Sequence, residues 1–174
     1  MEAVDVIAGS LEMNAGLIKM ALEGFSDAEL SEQPNGHSNS VGWLVWHLNR
    51  VEDATIAGIT QSAQVWAEGG WGAKFGADLE DRDIGVGHSP EKVASLTFTK
   101  EALLGYAGAV REKTLAALKG FNPAGLDKEV PDPAGGGNIK IGALLGRFSI
   151  DNFHHSGQVC YLRGYFKGFG WFPI

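Results

Sequence analysis

Near the C-terminal end the chain reads Leu144-Leu145-Gly146-Arg147-Phe148-Ser149-Ile150-Asp151-Asn152-Phe153-His154-His155-Ser156-Gly157-Gln158-Val159. Leu144, Phe148, Val159, Leu162 and Phe166 recur three, four or eleven apart, which is the period of a helix with one apolar face. The pattern predicts a helix from about Ile139 to Lys167. Carrying the stripe through its middle in steps of three and four requires positions 151 and 155, which are Asp151 and His155. At about 100° of turn per residue, a carboxylate and an imidazole interrupt an apolar seam on one face. Burying a carboxylate costs several kcal/mol unless a cation or strong donors meet it. Carboxylate and neutral imidazole are both ligands for divalent metals, and a spacing of four brings them to one point. A buried Asp–His hydrogen bond accounts for the pair equally well.

A second segment bears on that choice. Val41 to Ile59 predicts a helix capped by Ser38 or Ser40, with Leu44, Val51, Ala54 and Gly58 on its inward face. His47 belongs to the same stripe. Two helices therefore each turn an imidazole inward, and bundle interiors are where such folds assemble metal sites from facing helices. Two histidines and one carboxylate would leave positions open for water or substrate.

The rest of the chain supplies two more helices. Ile7, Leu11, Ala15, Ile18 and Leu22 place one between Glu2 and Gly24. Ser89-Pro90-Glu91 reads as N-cap, first-turn proline and first-turn acid, opening a helix that should reach Lys119 before Gly120. Ser26–Ser40 is turn chemistry, Gly125–Asn138 is a breaker-rich loop, and Phe169–Ile174 is an aromatic tail. Thr60 to His88 shows no sustained period, yet it carries Trp66, Trp71 and Phe75, which suggests a loop packed over something, with Trp66 and Trp71 walling the pocket, while plain core packing accounts for any one of these rings. No repeat and no alternating strand pattern appears. The expectation is an all-α four-helix bundle with long connecting loops, spanning residues 1–174 as one domain.

Composition excludes other classes. The 174 residues are 44% apolar and 20% charged, which describes a globular chain with a sizeable core. A formal net charge of -7 argues against nucleic acid as a partner. No apolar run approaches the roughly 18 to 20 residues of a membrane span, and the acidic start is unlike a signal peptide, so no membrane and a cytoplasmic location are expected. The lone Cys160 excludes an internal disulfide, and by the helical count it faces away from the candidate site as a packing residue.

Other polar residues compete for roles. His154 lies about 60° from Asp151, away from the apolar stripe, and reads as a flanking or surface group. His37 and His88 fall in polar loops, where solvent exposure is expected. Gln158 is either an outer partner that orients a ligand or a polar group at the bundle edge. Arg50 reads as a salt-bridge or surface residue.

Gly42-Trp43-Leu44-Val45-Trp46-His47-Leu48-Asn49-Arg50-Val51-Glu52-Asp53, with His155-Ser156-Gly157-Gln158 and Leu162-Arg163-Gly164 about a hundred residues later, resembles the DinB-like superfamily of metal-binding four-helix bundles. The likeness spans nearly the whole chain, including the Gly168-Phe169-Gly170-Trp171-Phe172-Pro173 tail. The resemblance implies a divalent metal (zinc, nickel, manganese or iron) held by His47, by His155, and by a middle position where the usual pattern has histidine and this chain has Asp151. That departure keeps a competent ligand while making the site harder and more negative. It further implies a small-molecule substrate and a low-molecular-weight thiol of the mycothiol or bacillithiol type, in detoxification or stress response. Homodimers formed through helix packing are implied as well. A non-catalytic metal- or ligand-binding stress protein and a metal-dependent hydrolase are the alternatives.

Overall fold

The computed structural model describes residues 2–76 and 79–172, so Met1 and the last two residues of the aromatic tail lie outside the described residues. Its α-helices are α1 (Ala3–Ala21), α2 (Asp27–Ser31), α3 (Val41–Thr60), α4 (Val65–Glu68), α5 (Trp71–Phe75), α6 (Pro90–Ser95), α7 (Lys100–Lys119) and α8 (Ile141–Lys167). The four long ones form the bundle: α3 packs against α8 and α7, and α1 packs against the same two. Among the described residues no helix is long and apolar enough to cross a membrane.

The helix starts follow cap chemistry. Ser40 accepts a hydrogen bond from the Trp43 amide at 3.2 Å and opens α3. Ser26 and Glu29 cap α2 reciprocally, which gives the polar 26–40 stretch a helical turn that its composition hides. The single helix expected from Ser89 to Lys119 is broken. Ser89 caps only α6, Leu96 turns extended, and Thr99 recaps the chain by accepting from the Ala102 amide at 3.2 Å. Leu96 and Phe98 are buried at that break, and the Phe98 amide donates to Ser31 Oγ at 3.1 Å, so tertiary contacts replace the helical bonds given up. Two short strands also appear where none was expected: β1 (Glu129–Pro131) pairs antiparallel with β2 (Asn138–Lys140), Val130 facing Ile139. Three residues are too few to show alternation. Ile139 therefore belongs to β2, and α8 begins two residues later.

The core has two apolar halves. One is aromatic, built on Trp43, Trp46, Trp66, Phe75, Phe98 and Tyr106. The other holds Val4, Leu11, Leu118, Leu144, Leu145 and Phe148. Between them each long helix contributes polar groups. Buried Glu52 of α3 takes a bidentate pair from Arg111 of α7 at 2.7 and 2.9 Å. Asn152 of α8 donates to Glu52 at 3.5 Å and accepts from Asn14 of α1 at 2.6 Å, and Asn14 also reaches Ser156. Burial, with the Asp53 charge adding to it, pushes the Glu52 carboxyl up, and the Arg111 charge opposes the shift. A buried network of this kind fixes which helix faces meet.

Candidate metal centre

Asn152 and Ser156 occupy the buried middle of α8, which corrects the expectation that Asp151 and His155 complete the apolar seam. Four-residue steps from Leu144 and Phe148 lead to Asn152 and Ser156. Asp151 and His155 precede them by one position, about 100° around the helix. They lie on the wall of the α3–α8 groove, with side chains 30% and 20% exposed. His47 meets them from α3, 6% exposed.

The three side chains converge: one ligand atom from each of His47, Asp151 and His155 falls within 4.8 Å of the other two. Nε2 of His47 is 3.9 Å from Asp151 Oδ1, and Nε2 of His155 is 3.6 Å from the same oxygen. The two imidazoles stand edge to face, 4.8 Å between centroids. Each ring is oriented through its other nitrogen. His47 Nδ1 is bound to the carbonyl of Ile84, which can only accept, so the proton sits on Nδ1 and the Nε2 lone pair is free. His155 Nδ1 bonds Gln158 Oε1 at 2.7 Å with the same consequence. Of the two roles left open for Gln158, the orienting one is what the geometry supports. Asp151 Oδ2 is shut off from solvent and has no hydrogen-bond partner. Two aimed lone pairs and an orphaned carboxylate oxygen are what a divalent cation would satisfy.

The electrostatics of the two rings differ. Burial holds His47 below the ordinary histidine range, against the Ile84 carbonyl and the Asp151 charge, which pull the other way. The Asp151 carboxylate raises His155, with burial opposing and Gln158 assisting.

The long 60–88 connection places the Ile84 carbonyl, and Arg50 holds that connection down. Arg50 is fully buried, which excludes the surface reading. It donates to the carbonyls of Asp83 (3.0 Å) and Asp81, to the Tyr106 hydroxyl at 3.1 Å, and lies 3.5 Å from Asp53. Asp53 in turn accepts from the amides of Val65 and Trp66 at 2.8 and 2.9 Å, starting α4. Trp66 stacks on Phe75 and covers Arg50. Trp66 and Trp71 therefore pack against the core beside Tyr106, the plain packing role, and do not wall the groove.

Ile84 and Val86 take that position, in a turn whose Gly85 has φ +90°. A Cβ on Gly85 would meet the Trp43 and Trp46 rings at 2.8 Å and His47 Nδ1 at 3.2 Å, so glycine lets the turn close on the histidine. His88 departs from its expected exposure. Its ring stacks on Trp46, accepts from Trp43 Nε1 at 3.1 Å and faces the Asp83 carboxylate at 3.1 Å. No short-range spacing in the sequence carries these roles for His88 and Arg50. His37 and His154 are exposed, as expected.

Two cavities flank the site along the groove. Beside His47 and Asp151 lies a slot of about 160 Å³ whose lining includes Val51, Ala54 and Phe148. One turn beyond His155, Leu44, His154, Gln158, Tyr161 and Tyr165 border a larger cavity of about 640 Å³.

A search of curated proteins returned no match. Among solved structures, the crystal structure of a conserved protein from Enterococcus faecalis is similar to this chain, at TM-score 0.84 and 25% identity, over 94% of this chain and 96% of that one. The sequence model of the DinB superfamily matches residues 10–159, a span containing all three converging side chains. This chain belongs to the DinB superfamily.

Proposed function

We propose that His47 Nε2, Asp151 and His155 Nε2 hold a divalent metal, and that the chain uses it to activate a small nucleophile in a transfer reaction, with a low-molecular-weight thiol as that nucleophile. The observation that carries the ligand assignment is the convergence of two Nε2 lone pairs on Asp151 Oδ1, beside the partnerless Oδ2 of the same carboxylate. A divalent cation supplies Lewis acidity there, lowering the pKa of a thiol or water brought to it.

The protein's own groups do the rest. Ile84 and Gln158 fix the ring orientations, so little reorganisation is needed at the site. Trp43 lies flat on His47, 4.8 Å between centroids and 11° between planes, and excludes water from that face. Arg147 is engaged by Asp132 at 2.6 and 3.0 Å, which leaves Asp151 without an Arg or Lys partner among the described residues. Three protein donors do not close a coordination shell, and the groove opens beside them, as a reacting site needs. Asp151 in place of a third imidazole favours harder cations.

The test is to incubate the metal-loaded protein with a panel of thiols and electrophiles. Metal-dependent conjugation is expected. Turnover of ester or amide substrates without any conjugation would replace the thiol reading with a hydrolytic one.

A further inference from the structure

Resting on that metal reading, the slot beside the ligands sets the chemistry of the group that sits next to the reacting centre. Its walls are Val51 and Ala54 from α3, Phe148 from α8, and Ile84 and Val86 from the turn that orients His47. Val86 is 78% exposed, an apolar side chain held at the mouth between Gly85 and Gly87, both at positive φ. At about 160 Å³ the slot holds the volume of about five waters at ~30 Å³ each, well short of the roughly 300–1,000 Å³ of a pocket that swallows a whole drug-sized ligand. Arg147, the one Arg or Lys among its lining residues, is taken bidentately by Asp132, and the carboxylate among them is Asp151 itself. An anionic tail would thus find no free partner, and a polar one would find little but Thr55.

We infer that the slot is a specificity pocket for a short, neutral, apolar substituent of about four or five carbons, carried by the substrate beside its reacting atom. Short alkyl hydroxamates are suitable probes, because the hydroxamate chelates a metal while its tail explores the surroundings. Each buried methylene should tighten binding about fourfold. Calorimetry on the zinc-loaded protein is then expected to show butyrohydroxamate binding about fifteenfold tighter than acetohydroxamate. The gain should continue to hexanohydroxamate, whose five-carbon tail fills the slot, octanohydroxamate should add little beyond that, and the carboxylate-tailed succinic monohydroxamate should bind no better than acetohydroxamate. Ala54→Phe should fill the slot, removing the butyro-over-aceto gain while zinc content and melting temperature hold. Val86→Asp, at an exposed position, should cut the same gain without touching the core.

A flat chain-length series on zinc-loaded protein, or a gain that survives both substitutions, overturns this inference and leaves the metal reading standing. Protein that takes up no zinc overturns both.

Discussion

His155 and Gln158 are joined by a 2.7 Å bond from Nδ1 to Oε1, one helical turn apart, and this bond turns the opposite nitrogen of the ring toward Asp151. Among the described residues the hydrogen bond of the Gln158 side chain goes to His155 and none goes to His47 or Asp151, so its effect is on orientation. Outer partners of this kind are worth about 10–100-fold in metal affinity. Gln158→Ala should weaken metal binding by that factor in a competition titration with a chelator, with thermal stability unchanged. Gln158→Glu, which keeps the acceptor, should restore it.

Arg50 ties Asp53, Tyr106 and the backbone at residues 81 and 83 into one cluster, and that backbone runs directly into the Ile84 carbonyl. Arg50→Ala removes a buried charge partner and should cost about 3–5 kcal/mol in denaturant unfolding. It should also loosen the turn that orients His47 and weaken metal binding. Arg111→Ala strands the buried Glu52 carboxylate and should cost a similar ~3–5 kcal/mol. Since the hydrogen bonds of Arg111 go to Glu52 and none reaches the 79–88 turn among the described residues, metal affinity should hold in that variant. Equal loss of affinity in both would mean that global loosening, and not the turn, governs the site.

The opposite shifts of the two imidazoles predict how metal uptake depends on pH. A metal needs both rings neutral, so a bound proton competes with it. His155, raised above 6.5 by Asp151, is mostly protonated at pH 6.5 in the metal-free protein, whereas His47, lowered by burial, is mostly neutral. Metal affinity should therefore fall as pH drops, with about one proton displaced per metal at pH 6.5, measurable by calorimetry in buffers of different ionisation enthalpy. Release of two protons, or none, would contradict this assignment. In the metal-free state the folding linkage is split. His155 stabilises the fold below pH 6.5 and loses that contribution as pH rises through its higher folded value, while His47 withdraws stability as pH falls through 6.5.

The bundle was legible because α1 and α3 carry clear helical periods, α3 has a recognisable start in Ser40 before Val41, and enough apolar residues of α8 recur at helical spacing. His47, Asp151 and His155 were legible as polar residues at or beside an apolar stripe, although the buried places themselves went to Asn152 and Ser156. What the sequence hid depends on long-range contacts. The break at Leu96–Phe98 is held by Ser31, and the short strands exist only through pairing across the 132–137 loop. Arg50, Asp83 and His88 act through backbone carbonyls and ring faces of segments about thirty to forty-five residues away in the chain, and no local spacing encodes that.

The convergence of His47, Asp151 and His155 is tested most directly by elemental analysis of protein purified without an affinity tag. Near one divalent metal per chain is expected in the native protein and in His154→Ala, falling to background in His47→Ala and Asp151→Ala while both variants keep a native melting curve. Metal retained in His47→Ala and Asp151→Ala but lost in His154→Ala would contradict the account.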